Sequence, residues 1–264
     1  MIGPALSLES PTLGVITCSR ADFDGLKRTL DSLLSANDVF KQHILVLSEY
    51  SDCQIRNLKE HYSEIGARFI LLEPSGIYQA MNLGLEEIQT DFVLFLNGGD
   101  ELNNGKALEQ LKNDLKPDGW GYGGIQISQA STALTRRYHF TRYNKWLHRF
   151  GIKYVPHPST VFSVKKIRYL GGYNVSYKTG ADQDLISRFA MESKPAISKE
   201  YISKFYLGGQ SSRSNLEIIQ ELKRISLDNH GYTLNLKLID DILWSIVSAA
   251  RSFVKPLLSR IRQF

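Results

Sequence analysis

Phe92-Val-Leu-Phe-Leu-Asn-Gly-Gly-Asp-Glu-Leu102 is an apolar run that stops abruptly at a lone acid, Asp100, behind Asn97, Gly98 and Gly99. The run has the length and content of a buried strand. A carboxylate just past its end stands where open α/β sheets bind ligands, at the carboxyl ends of their strands. Upstream, runs of the same kind alternate with helical patterns. Leu13–Cys18 is a short strand followed by Ser19 and Arg20. Asp22 or Asp24 can cap the next helix, whose Leu26, Leu30, Leu33 and Leu34 recur at helical spacing. His43–Ser48 is a second strand, Gln54–Tyr62 a polar helix, Arg68–Leu72 a third strand. Gly76–Ile88 reads as a helix with Ile77, Ala80, Met81, Leu85 and Ile88 on one face, leading into Phe92–Leu96. This order predicts an α/β fold with a mostly parallel sheet flanked by helices on both faces, Rossmann-like, doubly wound with right-handed crossovers.

The second half is less regular. Gly119–Ile127 starts as a glycine-broken strand, with further strands expected at Leu134–Phe140 and Ser159–Val164. Asp182–Met191 and Asn215–Asp228 read as amphipathic helices. From Leu234 an apolar stripe continues to Phe264 as a C-terminal helical appendage, interrupted at Pro256.

The 264 residues allow one large domain, or a domain with an appendage. A hydrophobic share of 42% and a charged share of 22% argue against wholesale disorder. Net charge is +5 with signs mixed over most of the chain, so no stripe for nucleic acid is expected. Two cysteines, Cys18 and Cys53, make no disulfide framework, which suits a reducing cytoplasm. The opening MIGPALSLES lacks the features of a secretory signal, and no apolar run approaches the roughly 20 residues of a membrane span. The expectation is a cytoplasmic protein, free or peripheral on the inner face of the cell membrane.

Several segments add a second line of argument. Gly76-Ile-Tyr-Gln-Ala-Met-Asn-Leu-Gly84, Leu96-Asn-Gly-Gly-Asp100, His157-Pro-Ser-Thr-Val-Phe162 with Gly171-Gly-Tyr-Asn174, Tyr177-Lys-Thr-Gly-Ala-Asp-Gln-Asp-Leu185 and Gly208-Gly-Gln-Ser211 follow one another along the chain. In that order they resemble the nucleotide-sugar glycosyltransferases of family 2, which have the GT-A fold. Within them the likeness is to the subgroup that builds bacterial surface polysaccharides such as colanic acid, O-antigens and capsule. The resemblance implies a glycosyltransferase domain over residues 1–230, with a donor half at about 11–103, an acceptor half at about 104–230, and a tail at 231–264. It also implies an inverting, metal-dependent transfer from a nucleoside diphosphate sugar to a saccharide, lipid-linked in this subgroup, with Mg²⁺ or Mn²⁺.

Asp100 is the expected metal ligand. A hard cation takes oxygen ligands and keeps waters and substrate phosphates, so one carboxylate is enough. The plain alternative is a turn aspartate helped by Gly98 and Gly99. The resemblance places the catalytic base at Asp182, where a carboxylate would take the acceptor hydroxyl proton. The alternative is that Asp182 only caps the helix after it. Donor contacts are expected from Thr17, Arg20, Ser48, Glu49, Tyr78, Asn82 and Asn97. At Ser48 the subgroup usually has an aspartate for the nucleobase, and Gln79 and Leu83 replace an acid and a lysine. The missing acids at Ser48, Gln79, Asn97 and Gly99 support a rival reading, a catalytically inactive binding or assembly subunit, against which stands the survival of both Asp100 and Asp182. A nucleotidyltransferase is a second rival, but Thr17–Asp22 is a poor phosphate-binding loop. His157 is open to a role at the metal or acceptor, or to a structural one.

Arg136–Lys153 holds six Lys or Arg and seven aromatic or His residues. It fits an acceptor-side or membrane-facing surface, an RNA-stacking surface, or a solvated loop and helix. The basic amphipathic tail fits either a membrane surface or packing on protein.

Overall fold

The computed structural model describes residues 10–129, 134–138, 142–207, 215–231, 239–246 and 249. The first half alternates β1 (Leu13–Arg20), α1 (Phe23–Leu34), β2 (Gln42–Ser48), α2 (Asp52–His61), β3 (Arg68–Leu71), α3 (Ile77–Glu87) and β4 (Phe92–Phe95). The second contains β5 (Glu101–Leu102), α4 (Gly105–Asn113), β6 (Trp120–Gln129), β7 (Leu134–Tyr138), α5 (Lys145–Arg149), β8 (Thr160–Ser163), α6 (Val164–Tyr169), α7 (Ala181–Glu192), β9 (Ala196–Leu207) and α8 (Asn215–His230).

One sheet runs in the order β3-β2-β1-β4-β8-β6-β9-β5, with β7 paired to β6. β1 to β4 are mutually parallel, as the alternation predicts. β8 then enters antiparallel to β4, and β6 pairs antiparallel with β8 and parallel with β9. The chain leaves β1 toward β2 on one side and returns to β4 on the other. The gap above β1 and β4 is therefore the switch point of the sheet, where ligands of open α/β folds bind.

Both faces of the sheet are covered because strand residues alternate sides. Leu13 and Val15 pack with Leu26, Leu30 and Leu33 of α1 and Leu58 of α2. Ile16 and Cys18 pack with Met81 and Leu85 of α3 and with Leu185, Ile186 and Phe189 of α7. Cys18 is a free, buried thiol whose pKa is pushed up by burial, so it is inert. α1 is capped by Asp22, which accepts from the Gly25 amide at 2.9 Å, a cap worth about 1 kcal/mol. The last carbonyls of α3 are met by the Arg168 guanidinium of α6, which donates to Leu85 O at 2.7 Å and Ile88 O at 2.5 Å.

The tail divides. Residues 239–246 are helical, and Trp244 packs with Phe150, Ile219 and Leu222, so this part of the appendage rests on the domain. Gly208–Ser211 and most of the tail beyond residue 246 lie outside the described residues.

Candidate active site

β4 ends at Phe95, and its continuation stays on β1: the Leu96 amide donates to Ile16 O at 3.0 Å and the Gly98 amide to Cys18 O at 2.9 Å. The chain then turns tightly, with the Asp100 amide donating to Asn97 O at 3.0 Å. Gly99 occupies the left-handed position of this turn at φ +99, which an L side chain resists. Gly98 lies so close to Ser19 that a β-carbon there would meet the Ser19 hydroxyl at 2.3 Å. Thr29 of α1 clamps the turn from below, accepting from the Gly99 amide at 2.9 Å. The turn therefore seats Asp100 above the switch point.

Asp100 is 6% exposed, and among the described residues no hydrogen bond reaches its carboxylate. Burial alone pushes its pKa up to about 8. Asn97, in the same turn, has a buried side-chain oxygen that also lacks a donor. A buried carboxylate and an unpartnered amide oxygen in one turn are costly unless a cation or donor meets them. Among the described residues no three His, Cys, Asp or Glu side chains converge as a metal cage. The residues fit a hard cation that takes one or two oxygens from protein and the rest from phosphate and water.

The neighbouring strand ends carry a clasp. Arg20 donates to both oxygens of Glu49, at 2.7 and 2.8 Å, joining the tips of β1 and β2. Each side chain stabilises the other's charge: the guanidinium pKa is raised and the carboxyl pKa is lowered by their shared hydrogen bond. Glu49 sits at φ +59, as does Ala21 at +50, so both strands end in left-handed residues. Ser48 is half-buried beside this pair. Sequence reasoning did not single out Tyr50, whose hydroxyl meets the Ser19 hydroxyl at 2.7 Å.

Three expected donor residues do other work. Thr17 lies on the Leu13–Val15 face, fully buried, with its hydroxyl 2.9 Å from His43 Nε2. The alternation of the strand turns it into the core rather than toward the crevice. Asn82 spends both ends of its amide on the Tyr173 backbone, each at 2.8 Å, as a strut between α3 and the loop before α7. Tyr78 turns to Asp182, donating to Oδ1 at 3.4 Å, and its ring stacks on Tyr173 at 5.8 Å.

Asp182 does not cap its helix. Gly180 holds that position with no side-chain cap, and α7 begins at Ala181, so Asp182 sits in the first turn. Its Oδ2 accepts from Gln183 Nε2 at 3.2 Å. Phe95 at the end of β4 meets Tyr173 edge-on at 5.1 Å, and Tyr173 carries Tyr78. This aromatic chain ties Asp182 to the carboxyl end of β4. Asp184 faces elsewhere, paired with Arg188 at 2.7 Å and accepting from Asn229 at 2.8 Å. A cleft of about 620 Å³ opens on that side, lined by Tyr173, Tyr177, Asp184, Arg188, Asp228 and other residues. His157 is enclosed, its Nε2 2.7 Å from the Tyr173 hydroxyl, and burial lowers its pKa against the pull of Asp182. In this position it braces Tyr173.

No family model matches the chain. An uncharacterized glycosyltransferase of Mycobacterium tuberculosis is 27% identical over 229 residues, 82% of this chain and 83% of that protein. Among solved structures, a mannosyltransferase from Pyrobaculum calidifontis in complex with GDP-Man and Mn²⁺ superposes with a TM-score of 0.63 at 14% identity, over 92% of this chain and 74% of that one. A fragment of S. aureus TarS in complex with UDP gives 0.61 at 12% identity, over 89% of this chain and 70% of the fragment. Against the longer TarS chain the TM-score is 0.58 at 11% identity, and this chain spans 39% of its length. These likenesses establish the fold as GT-A.

Proposed function

We propose that the protein is a glycosyltransferase that moves a sugar from a nucleoside diphosphate donor to a saccharide acceptor, with inversion at the anomeric carbon. The similarity to the M. tuberculosis glycosyltransferase supports the class of reaction. The observation that carries the site is Asp100, a buried carboxylate at the sheet's switch point that accepts no hydrogen bond from the described residues. A divalent cation bound there, Mg²⁺ or Mn²⁺, would offset the charge of the leaving diphosphate. Mn²⁺ beside GDP-Man in the Pyrobaculum enzyme supports this choice. The strand-end clasp of Arg20 and Glu49 borders the place for the nucleoside.

Asp182 then has the role of base. Tyr78 and Gln183 each donate to one of its two oxygens, at 3.4 and 3.2 Å, which favours one orientation of the carboxylate. It accepts the proton of the acceptor hydroxyl as that oxygen attacks the anomeric carbon and the sugar–phosphate bond breaks. The acceptor, by resemblance, is a lipid-linked saccharide of surface polysaccharide synthesis, handled at the cytoplasmic face of the membrane.

The test is transfer from UDP-, GDP- and dTDP-sugars with Mn²⁺, comparing the native chain with Asp100→Ala and Asp182→Ala. Turnover of one donor, abolished by both substitutions in folded protein, is the expected result. Donor binding without transfer to any lipid-linked acceptor would favour an inactive binding subunit.

A further inference from the structure

Residues 119–181 carry ten Lys or Arg and no Asp or Glu. Within this acid-free stretch the structure exposes a compact apolar group on α5. Trp146 is 48% exposed, Leu147 37% and Ile152 59%. The helix ends in a Schellman turn: the Gly151 amide donates to His148 O and the Ile152 amide to Leu147 O, both at 2.8 Å, with Gly151 at φ +60. That turn folds Ile152 back onto the end of the helix beside Leu147. Lys145, exposed, stands next to Trp146 on α5, and exposed Arg142 precedes Lys145 by three residues. Lys145 Nζ and the Arg149 guanidinium lie 5.8 and 5.7 Å from the Trp146 ring centre.

The inner side of the same short helix is fully committed. His148 Nε2 lies 3.1 Å from Gln183 O, Arg149 is buried against Asp240, and Phe150 packs on Trp244. The outward set of Trp146, Leu147 and Ile152 is thus held rigidly from behind, one residue from Asp182 in the contact through Gln183.

We infer that this face of α5 docks on an anionic lipid surface. A tryptophan and two aliphatic side chains exposed in a basic, acid-free segment, with Lys145 beside the tryptophan, match a headgroup layer, where the ring and methyls sink and the exposed charges meet lipid phosphates. A second copy of the chain fits poorly, because an isologous contact would set this basic, acid-free segment against itself. The tail fits poorly as a cover for the same reason, since residues 242–264 hold no acid. A soluble polyanion satisfies the cations but leaves the apolar trio in water. Independently of the reaction assigned above, the dock is a property of the folded chain. If that assignment holds, it brings Asp182 to the surface that carries a lipid-linked acceptor.

The experiment is sedimentation of the full chain with vesicles of phosphatidylcholine alone or mixed with phosphatidylglycerol, at low and high salt. The expected result is binding to the anionic vesicles that weakens with salt. The Trp146→Ser/Leu147→Ser/Ile152→Ser variant should lose more than tenfold in partitioning. Lys145→Gln should lose about fivefold, the share of one cation near an anionic surface. Circular dichroism shows whether the triple variant is folded, and Lys145→Gln, an exposed change, serves as the second reading. Inorganic polyphosphate should bind more weakly than the vesicles and be indifferent to the triple substitution. No binding of the native chain to anionic vesicles, or unchanged binding by both folded variants, overturns the inference. So does polyphosphate binding that matches the vesicles and also falls with the triple substitution.

Discussion

Asp100 carries two separable properties, its proton and its cation. Its pKa of about 8 lies above the ordinary 3.8. Between those values the folded protein binds a proton that the unfolded chain lacks. Its contribution to stability is therefore greatest below about pH 4 and is lost as pH rises through 8, by up to about 1.4 kcal/mol per pH unit. Asp100→Asn should raise the melting temperature of the metal-free protein at pH 8. Saturating Mn²⁺ should stabilise the native chain, by about 2.7 kcal/mol at a hundredfold excess over Kd, and leave the variant unmoved. A variant melting lower than the native chain without metal would contradict the burial argument. Asp182 makes a different prediction: Asp182→Asn should cost roughly 10²–10⁴ in transfer with little change in melting. Tyr78→Phe removes one hydrogen bond to that carboxylate and should lower kcat about 3- to 10-fold with donor affinity unchanged. A loss confined to donor affinity would return Tyr78 to the donor site. Asp100 and Asp182 stand out in the sequence because their segments have a distinctive order, and their proposed roles await the substitutions above. The partners of Thr17, Asn82 and Tyr78 within the fold were not legible, because a sequence does not say which way a polar side chain turns at a strand end or helix face.

At the scale of elements, the turn after β4 and the loop before α7 are held by specific contacts. Asn82 satisfies both the amide and the carbonyl of Tyr173. Asn82→Ala should destabilise by about 2–3 kcal/mol, read by thermal or urea melting, since it leaves two backbone groups without partners. Asn82→Asp keeps the acceptor for the Tyr173 amide and should cost less. Equal melting of the native chain and Asn82→Ala would refute the strut. The first four strands were legible because each is a short apolar run between helical patterns. β9 was not. Its pairing with β6 shifts register, with Ile197 opposite Tyr122 but Tyr201 opposite Gly124. The extra residues break the alternation that would reveal a strand. α4 was missed as well, since its apolar face rests on only Ala107, Leu108 and Leu111.

For the molecule as a whole, the sheet joins a parallel half to a mixed half through β4 and β8, and the proposed site lies across that seam. Buried imidazoles stand in both parts. Burial holds His43 neutral down to about pH 3, and His148 and His157 are lowered in the same direction. Below the ordinary value near 6.5 the unfolded chain takes up protons that the folded one refuses. Stability from these groups is fully present above about pH 6.5 and is lost as pH falls. In the Asp100→Asn background, free of the opposing carboxylate, urea unfolding should show stability falling from about pH 6.5 downward. A flat profile would contradict the buried, neutral state of the three rings. The switch point itself followed from strand order, and strand order from the alternation of the first half. The tail could not be divided in advance, because its apolar stripe looks alike where Trp244 packs and where Ile242 and Ile246 are exposed.

The central claim is that a nucleoside diphosphate sugar is held at this switch point through a cation on Asp100. Calorimetric titration of UDP-, GDP- and dTDP-sugars tests it most directly, run with Mn²⁺ or with EDTA on the native chain and on Asp100→Asn. The account predicts one preferred donor, bound with Mn²⁺, released by EDTA and not bound by the folded variant. Equal donor affinity in the native chain and in Asp100→Asn, or no donor binding by the native chain with Mn²⁺, would contradict it.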